Sequence, residues 1–289
     1  MEHILSNEIL TLISEERLKY SDEYEHLVGK GGYVSPDSDL VIDAVVALTM
    51  GKNVLLKGPT GSGKTKFAES LSKLFQRPMH MVNCSVDLDA ESLLGFKTLH
   101  SVDGKQTIEF VSGPVVEAMK KGHFLYIDEV NMAKPETLPL INSVLDYRKT
   151  LTNPFTAEVV KAEQGFGVIA AINEGYVGTV PLNEALKNRF VIIEVPYVEG
   201  TLLEGLIRVE TRLIDEKTIE QFVRLSKDLI LASKQGKLSE DATSIRALLD
   251  ACDLASIIPP LRAIKRSIID KLDEDREKEI VENLADTLF

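Results

Sequence analysis

Gly58-Pro59-Thr60-Gly61-Ser62-Gly63-Lys64-Thr65 constrains this chain more than any other stretch. It follows at once on the apolar run Asn53-Val54-Leu55-Leu56-Lys57, and it opens a segment in which Phe67, Leu71 and Leu74 recur at helical spacing. A strand, a glycine turn and a helix in direct succession let the turn's backbone N–H groups face inward at the positive end of the helix. Such a nest cradles phosphate oxygens. Lys64 then reaches the β and γ phosphates, and the Thr65 hydroxyl holds Mg²⁺.

The strand and helix pattern continues beyond the loop. Short apolar runs at residues 79–82, 124–127, 168–172 and 191–195 are separated by helical segments, which predicts an α/β fold: a parallel sheet with helices on both faces. Upstream, Ser35-Pro36-Asp37 starts a helix whose buried face is Leu40, Val41, Ala44, Val45 and Leu48. Residues 1 to 30 read as a helix and a turn, with Ile4, Leu5, Ile9, Leu12 and Ile13 on one face, and are expected to be an appendage to the main fold. After Pro196 the strand-like runs stop, and residues 202–213, 218–231 and 244–255 carry helical periodicity. The expected division is an N-terminal extension over 1–32, a nucleotide-binding core over 33–198, and a small all-helical lid over 199–289. The last twenty residues hold eight acids and three bases among Ile280, Leu284 and Leu288, which reads as a solvated amphipathic helix.

Phe124-Leu125-Tyr126-Ile127-Asp128-Glu129 is an apolar strand ending in two carboxylates. Downstream of a phosphate loop, Asp128 at the strand end can bind Mg²⁺ through its water shell, while Glu129 orients and deprotonates a water for in-line attack on the γ-phosphate. Val168-Ile169-Ala170-Ala171-Ile172-Asn173 is a second apolar strand ending in one polar residue. Beside the catalytic strand, the Asn173 amide can hydrogen-bond both the attacking water and a phosphate oxygen without adding charge. Leu94 to Leu99 and Thr107 to Phe110 alternate about Asp103-Gly104, a strong hairpin signal. A second hairpin is expected between about residues 150 and 166, with Asn153-Pro154 leaving its register open.

Taken in order and spacing, GPTGSGKT, FLYIDEVN, AAINEG, the run from Pro181 to Phe190 (PLNEALKNRF) and Ser244-Ile245-Arg246 resemble an AAA+ ATPase. The chain is similar to the MoxR family, and within it to the short single-module branch that includes the CbbQ, NorQ and GvpN proteins. The resemblance covers roughly residues 33 to 255. It implies a P-loop NTPase core with a three-layer αβα arrangement and a helical lid, ATP and Mg²⁺ as cofactors, and a homo-oligomeric, hexameric ring. It places Asn173 at the sensor 1 position, Arg189 at the arginine finger and Arg246 at the sensor 2 arginine. It turns the first hairpin toward the central pore of the ring. It also implies a partner carrying a von Willebrand factor A domain, whose target the ring remodels or activates. Arg189, between a short helix and the last strand, suits a guanidinium donated to a neighbour's γ-phosphate; a surface ion pair is the plainer alternative. Expectation for the base extends only to Tyr33 and Val34.

Composition narrows the remaining classes. Among 289 residues, 33 Lys and Arg against 45 Asp and Glu give a net charge of −12, so no uniformly basic surface is available to a nucleic-acid backbone. A motor of a nucleic-acid-processing or restriction system, working through a narrow basic pore, stays open as the competing reading. A nucleotide-binding regulator without turnover needs neither Glu129 nor Arg189. Cys84 and Cys252 form no CxxC pair, and the five histidines show no ligand spacing and no pairing with Asp or Ser, which removes zinc and nucleophilic chemistry. A signal pattern and an 18-residue apolar span are both missing, so a cytoplasmic protein without membrane insertion is expected.

Overall fold

The computed structural model describes residues 1, 5–17, 20, 22–84, 88–102, 105–173 and 182–289. Five strands form one parallel sheet: β1 (Asn53–Gly58), β2 (Met79–Asn83), β5 (Phe124–Asp128), β8 (Gly167–Asn173) and β9 (Phe190–Glu194), in the spatial order β2-β5-β8-β1-β9. Each central strand is apolar on both faces, as a sheet covered on both sides demands. Val54 and Leu56 of β1, Phe124 and Tyr126 of β5, and Ile169 and Ala171 of β8 share one core with α2 (Ser38–Thr49) and α3 (Lys64–Phe75). Leu55, Leu125, Ile127, Val168 and Ala170 point the other way, into a second core with α5 (Pro114–Lys121) and α6 (Leu138–Leu145). The fold is the expected three-layer αβα P-loop architecture, with strand ends within a residue or two of the apolar runs.

The N-terminal segment does not stand apart from this body. α1 (Asn7–Glu16) lays Ile13 into the first core, 1% exposed, and Leu5 just ahead of its cap packs there too. Arg17 donates to the Leu74 carbonyl at 2.8 Å, and the buried Arg77 guanidinium donates to the Glu16 carbonyl at 2.8 Å. Farther on, Tyr20 donates to the Gly122 carbonyl at 3.1 Å, and the Tyr20 and Tyr24 rings meet His123 edge-on. His123 in turn shares a 2.9 Å hydrogen bond with His80. Burial and the neighbouring His80, Lys121 and Arg77 push His123 down to about 4, so this pair packs as neutral rings at pH 7. An apolar face at helical spacing needs a receiving surface, and here α2 and α3 supply it; the appendage expected from the sequence is part of the core.

Between α4 (Ala90–Leu94) and α5, β3 (Gly95–Val102) and β4 (Lys105–Ser112) pair antiparallel, as the alternation predicts. The turn at Asp103-Gly104 lies outside the described residues. Leu99 and Ile108 face each other across this hairpin and are 67% and 70% exposed. The second hairpin, β6 (Thr150–Thr152) and β7 (Val159–Lys161), is inward-facing instead, with its Leu151–Val160 pair buried in the second core. The short helix expected before Arg189 is α7 (Glu184–Lys187), and the Asn183 carboxamide starts it by accepting from Leu186 N–H at 3.1 Å. Pro181 lies outside the described residues.

From Val198 onward a third core gathers α8 (Gly200–Glu210), α9 (Glu216–Lys234), α10 (Ile245–Ala255), α11 (Pro260–Ser267) and α12 (Asp275–Leu288). The acidic terminal helix is amphipathic, burying Val281 and Ala285. Among the described residues, no helix is long and apolar enough to cross a membrane.

Candidate active site

The glycine turn folds as its residue types require. Gly63 caps α3 at φ 90°, a conformation open to glycine and strained for a side chain, with the Tyr33 ring packed against it. Lys64 is 6% exposed, and its Nζ donates to the carbonyls of Gly58 at 2.9 Å and Pro59 at 2.7 Å. Burial pulls its ammonium down to about 8, against the upward pull of Asp128, Glu240 and Glu129. The buried Ser62 hydroxyl has no hydrogen-bond partner among the described residues. A lysine folded back onto its own loop and an unsatisfied hydroxyl inside that loop suit a ligand rich in anionic oxygen. Thr65 Oγ1 lies 3.2 Å from the Tyr126 hydroxyl at the root of the loop. With Asp128 beside them, these hard oxygen donors match what Mg²⁺ takes, so the residues present fit a magnesium nucleotide.

The sheet order brings the other parts together. Gly58 pairs in register with Asn173, and Asn83 with Asp128, so four chemistry-bearing positions share the carboxyl edge of the sheet, where α/β proteins place their ligands. Asp128 Oδ1 accepts from Glu129 N–H at 3.1 Å. Glu129 itself sits at φ 51°, in the left-handed region, a conformation that costs a non-glycine residue about 1 kcal/mol or more. That backbone turn swings its side chain toward β8, where Asn173 Nδ2 donates to Glu129 Oε1 at 3.3 Å. The two residues assigned to positioning water therefore touch each other directly.

A cavity of about 600 Å³ opens between these strand ends and α10, lined by Lys64, Thr65, Asp128, Glu129, Asn173 and Arg246 among others. A second, of about 670 Å³, lies between the Gly31–Val34 loop, α3 and α8. Tyr33 and Val34 both line it, as do Leu206 and Val209. The helical part of the chain is seated on the phosphate loop: a Cβ on Gly61 would stand 2.9 Å from Ser244 Cα, and Glu240 Oε2 accepts from Thr60 N–H at 3.0 Å.

Arg189 is placed elsewhere. It precedes β9, whose Phe190 pairs with Asn53 at the amino end of β1, so the strand length alone sets it about 16 Å from its own phosphate loop. Its guanidinium donates to the Ala185 carbonyl of α7. The structure thus gathers the loop, Asp128, Glu129, Asn173 and Arg246 into one cavity and leaves Arg189 away from it. The sequence reading missed Tyr126, Asn83, Glu210 and Glu240. Asn83 carried a usable signal, a polar residue at the carboxyl end of an apolar strand like Asp128 and Asn173. Glu240 carried none, since its contact spans 180 residues.

The family signature described as the AAA domain (dynein-related subfamily) matches residues 53–190, from β1 to the start of β9. The uncharacterized protein YojN of Bacillus subtilis (strain 168) is 64% identical over 278 residues, which are 96% of this chain and 91% of that one. A Staphylococcus aureus (strain NCTC 8325 / PS 47) protein, also uncharacterized, is 59% identical over 258 residues, 89% of this chain and 98% of its own. Among solved structures, an ATPase candidate from Cytophaga hutchinsonii matches with a TM-score of 0.50 at 17% identity, over 98% of this chain and 96% of that one. NtrX from Brucella abortus in complex with ATP matches with a TM-score of 0.51 at 18% identity, over 88% of this chain and 61% of that one. At such identities the two structures speak for the fold, whereas the sequence relatives and the domain signature speak for descent. With its phosphate loop, paired carboxylates and strand-end asparagine in one cleft of a parallel sheet, the chain belongs to the YojN family of AAA-domain ATPases.

Proposed function

We propose that this ATPase works as a MoxR-type AAA+ ring, a hexamer in the cytoplasm, that spends ATP hydrolysis on remodelling or activating a partner protein together with a von Willebrand factor A domain protein. The observation that carries the hydrolytic part is the 3.3 Å bond between Asn173 and Glu129 beside Lys64, Thr65 and Asp128. A binder without turnover has no use for a carboxylate turned into the phosphate cavity through a strained backbone.

In this reading Lys64 leaves its loop carbonyls for the β and γ phosphates, and Thr65 and Asp128 hold Mg²⁺, which when bound neutralises charge on the phosphates. Glu129 accepts a proton from water that Asn173 helps to orient. Arg189, remote from its own cavity, serves the neighbouring subunit's γ-phosphate, and Arg246 on α10 links the phosphates to the helical lid. The exposed Leu99–Ile108 pair of the β3–β4 hairpin supports partner coupling, since it offers apolar surface and neither residue lines the phosphate cavity.

Glu129→Gln tests this. The variant should bind MgATP with near-normal affinity yet lose turnover by about two orders of magnitude or more. Held in its ATP state, it should retain a partner that wild-type protein releases, identifiable after pull-down. Turnover at half the wild-type rate or above would show the carboxylate role to be wrong; retention of DNA in place of a protein would favour the nucleic-acid motor.

A further inference from the structure

Glu210, the last residue of α8, lines both cavities, and among the described residues no other side chain is common to the two walls. It stands where the phosphate end meets the end bounded by Tyr33, Val34, Leu206 and Val209. Its Oε1 lies 3.8 Å from the position that a Cβ on Gly32 would take, so the carboxylate closes on the Gly31–Val34 loop from the helical side. Among the described residues it has neither an ion-pair nor a hydrogen-bond partner.

A carboxylate at this joint suits one part of a nucleotide. Its acceptor-only oxygens are repelled by the triphosphate and have nothing to gain from the apolar wall that would receive the base. A ribose lies between those two parts and carries two adjacent hydroxyl donors, which match two carboxylate oxygens in spacing and in polarity. The acid that reads the ribose in dinucleotide-binding folds uses the same chemistry.

We propose that Glu210 is the ribose-reading residue of this ATPase: its carboxylate accepts from the 2′- and 3′-hydroxyls, sets a preference for ribonucleotides over deoxynucleotides, and ties α8 to the bound nucleotide. This rests on the phosphates lying in the first cavity, as proposed above, and on the base lying by Tyr33 and Val34 in the second. Calorimetric titration of wild-type protein with ATP, 2′-deoxy-ATP and 3′-deoxy-ATP in Mg²⁺ buffer tests it, beside Glu210→Ala, Glu210→Gln and Lys64→Ala.

Wild type should bind at least one deoxy analogue more weakly than ATP by on the order of tenfold, the worth of a hydrogen bond to a charged acceptor. In Glu210→Ala, ATP should fall to the affinity of the analogues, and Glu210→Gln, which keeps one acceptor oxygen, should lie between. Equal affinities within twofold in the wild type would overturn the proposal without any variant, whatever the folding of Glu210→Ala. So would discrimination that survives in a folded Glu210→Ala, or an alanine variant that binds all three ligands more tightly, since the carboxylate would then only repel. Failure of the wild type to bind ATP, or binding untouched by Lys64→Ala, would overturn the nucleotide reading beneath it.

Discussion

Lys64 keeps its ammonium between two carbonyl oxygens of its own loop, and burial holds it near pKa 8. Phosphate oxygens favour the charged form, so binding draws a proton onto Lys64 wherever the free protein has lost it. Below pH 8 that proton is already present, and above it affinity falls. MgATP should therefore bind roughly tenfold more weakly at pH 9 than at pH 7, with proton uptake at pH 9 visible as a buffer-dependent heat in calorimetry. A flat profile would mean that Lys64 stays protonated throughout. Glu240 acts in the same place. Its carboxylate accepts from the Thr60 N–H that borders the anion cradle and sets a negative charge against phosphate, so Glu240→Gln, which removes the charge and keeps an acceptor, should tighten nucleotide binding by about threefold to tenfold, read by the same titration. Weaker binding in the variant would assign the carboxylate to the bound state. The contrast between these two residues shows what was legible. Lys64, Asp128, Glu129 and Asn173 each end or follow an apolar strand, so local pattern exposes them. Glu240 and Glu210 reach the cleft only through the docking of helices, which no local pattern encodes.

Among the elements, α1 shows the limit of periodicity most clearly. The spacing of Leu5, Ile9 and Ile13 announces a buried face without naming the surface that buries it, and the same pattern fits an appendage or a core helix. Ile13→Ala should cost about 2 to 5 kcal/mol, the range for emptying a fully buried aliphatic site, in denaturant unfolding followed by circular dichroism. An appendage would lose almost nothing. The strands were easier to read, because runs apolar on both faces are short, bounded and separated by helices. The β3–β4 hairpin was legible from its alternation. The second hairpin was legible in place, over 150–166, but its three-residue strands leave too little pattern to show register or which face turns inward.

At the scale of the whole molecule, the remoteness of Arg189 bears on assembly. In the ring proposed above, a finger that cannot reach its own phosphates acts only when a second subunit presents a site, so activity per subunit should rise with protein concentration. Arg189→Ala and Lys64→Ala proteins should each be inactive, one keeping a pocket and the other a finger. When the two are mixed and shown to co-assemble, steady-state phosphate release should recover in part, since some intact pockets then sit beside intact fingers. A monomeric Arg189→Ala protein with undiminished turnover would remove the finger and the ring together. Fold class was legible from strand and helix alternation alone. Strand order was not, because pairing partners lie far apart in the chain.

That order has a consequence for synthesis. β1, which carries the phosphate loop, pairs on one side with β8 and on the other with β9, so Val54 lies against Ile169 and Val191. A chain emerging from the ribosome shows the complete glycine turn more than a hundred residues before either neighbour of β1 exists. Until then both edges of β1 are open, and Asn173 is absent from the cleft. Long-range parallel pairing of this kind is slow to form and leaves unpaired edges exposed meanwhile. The cleft that gathers Lys64, Asp128, Asn173 and Arg246 is therefore complete only after the second half of the chain has been made.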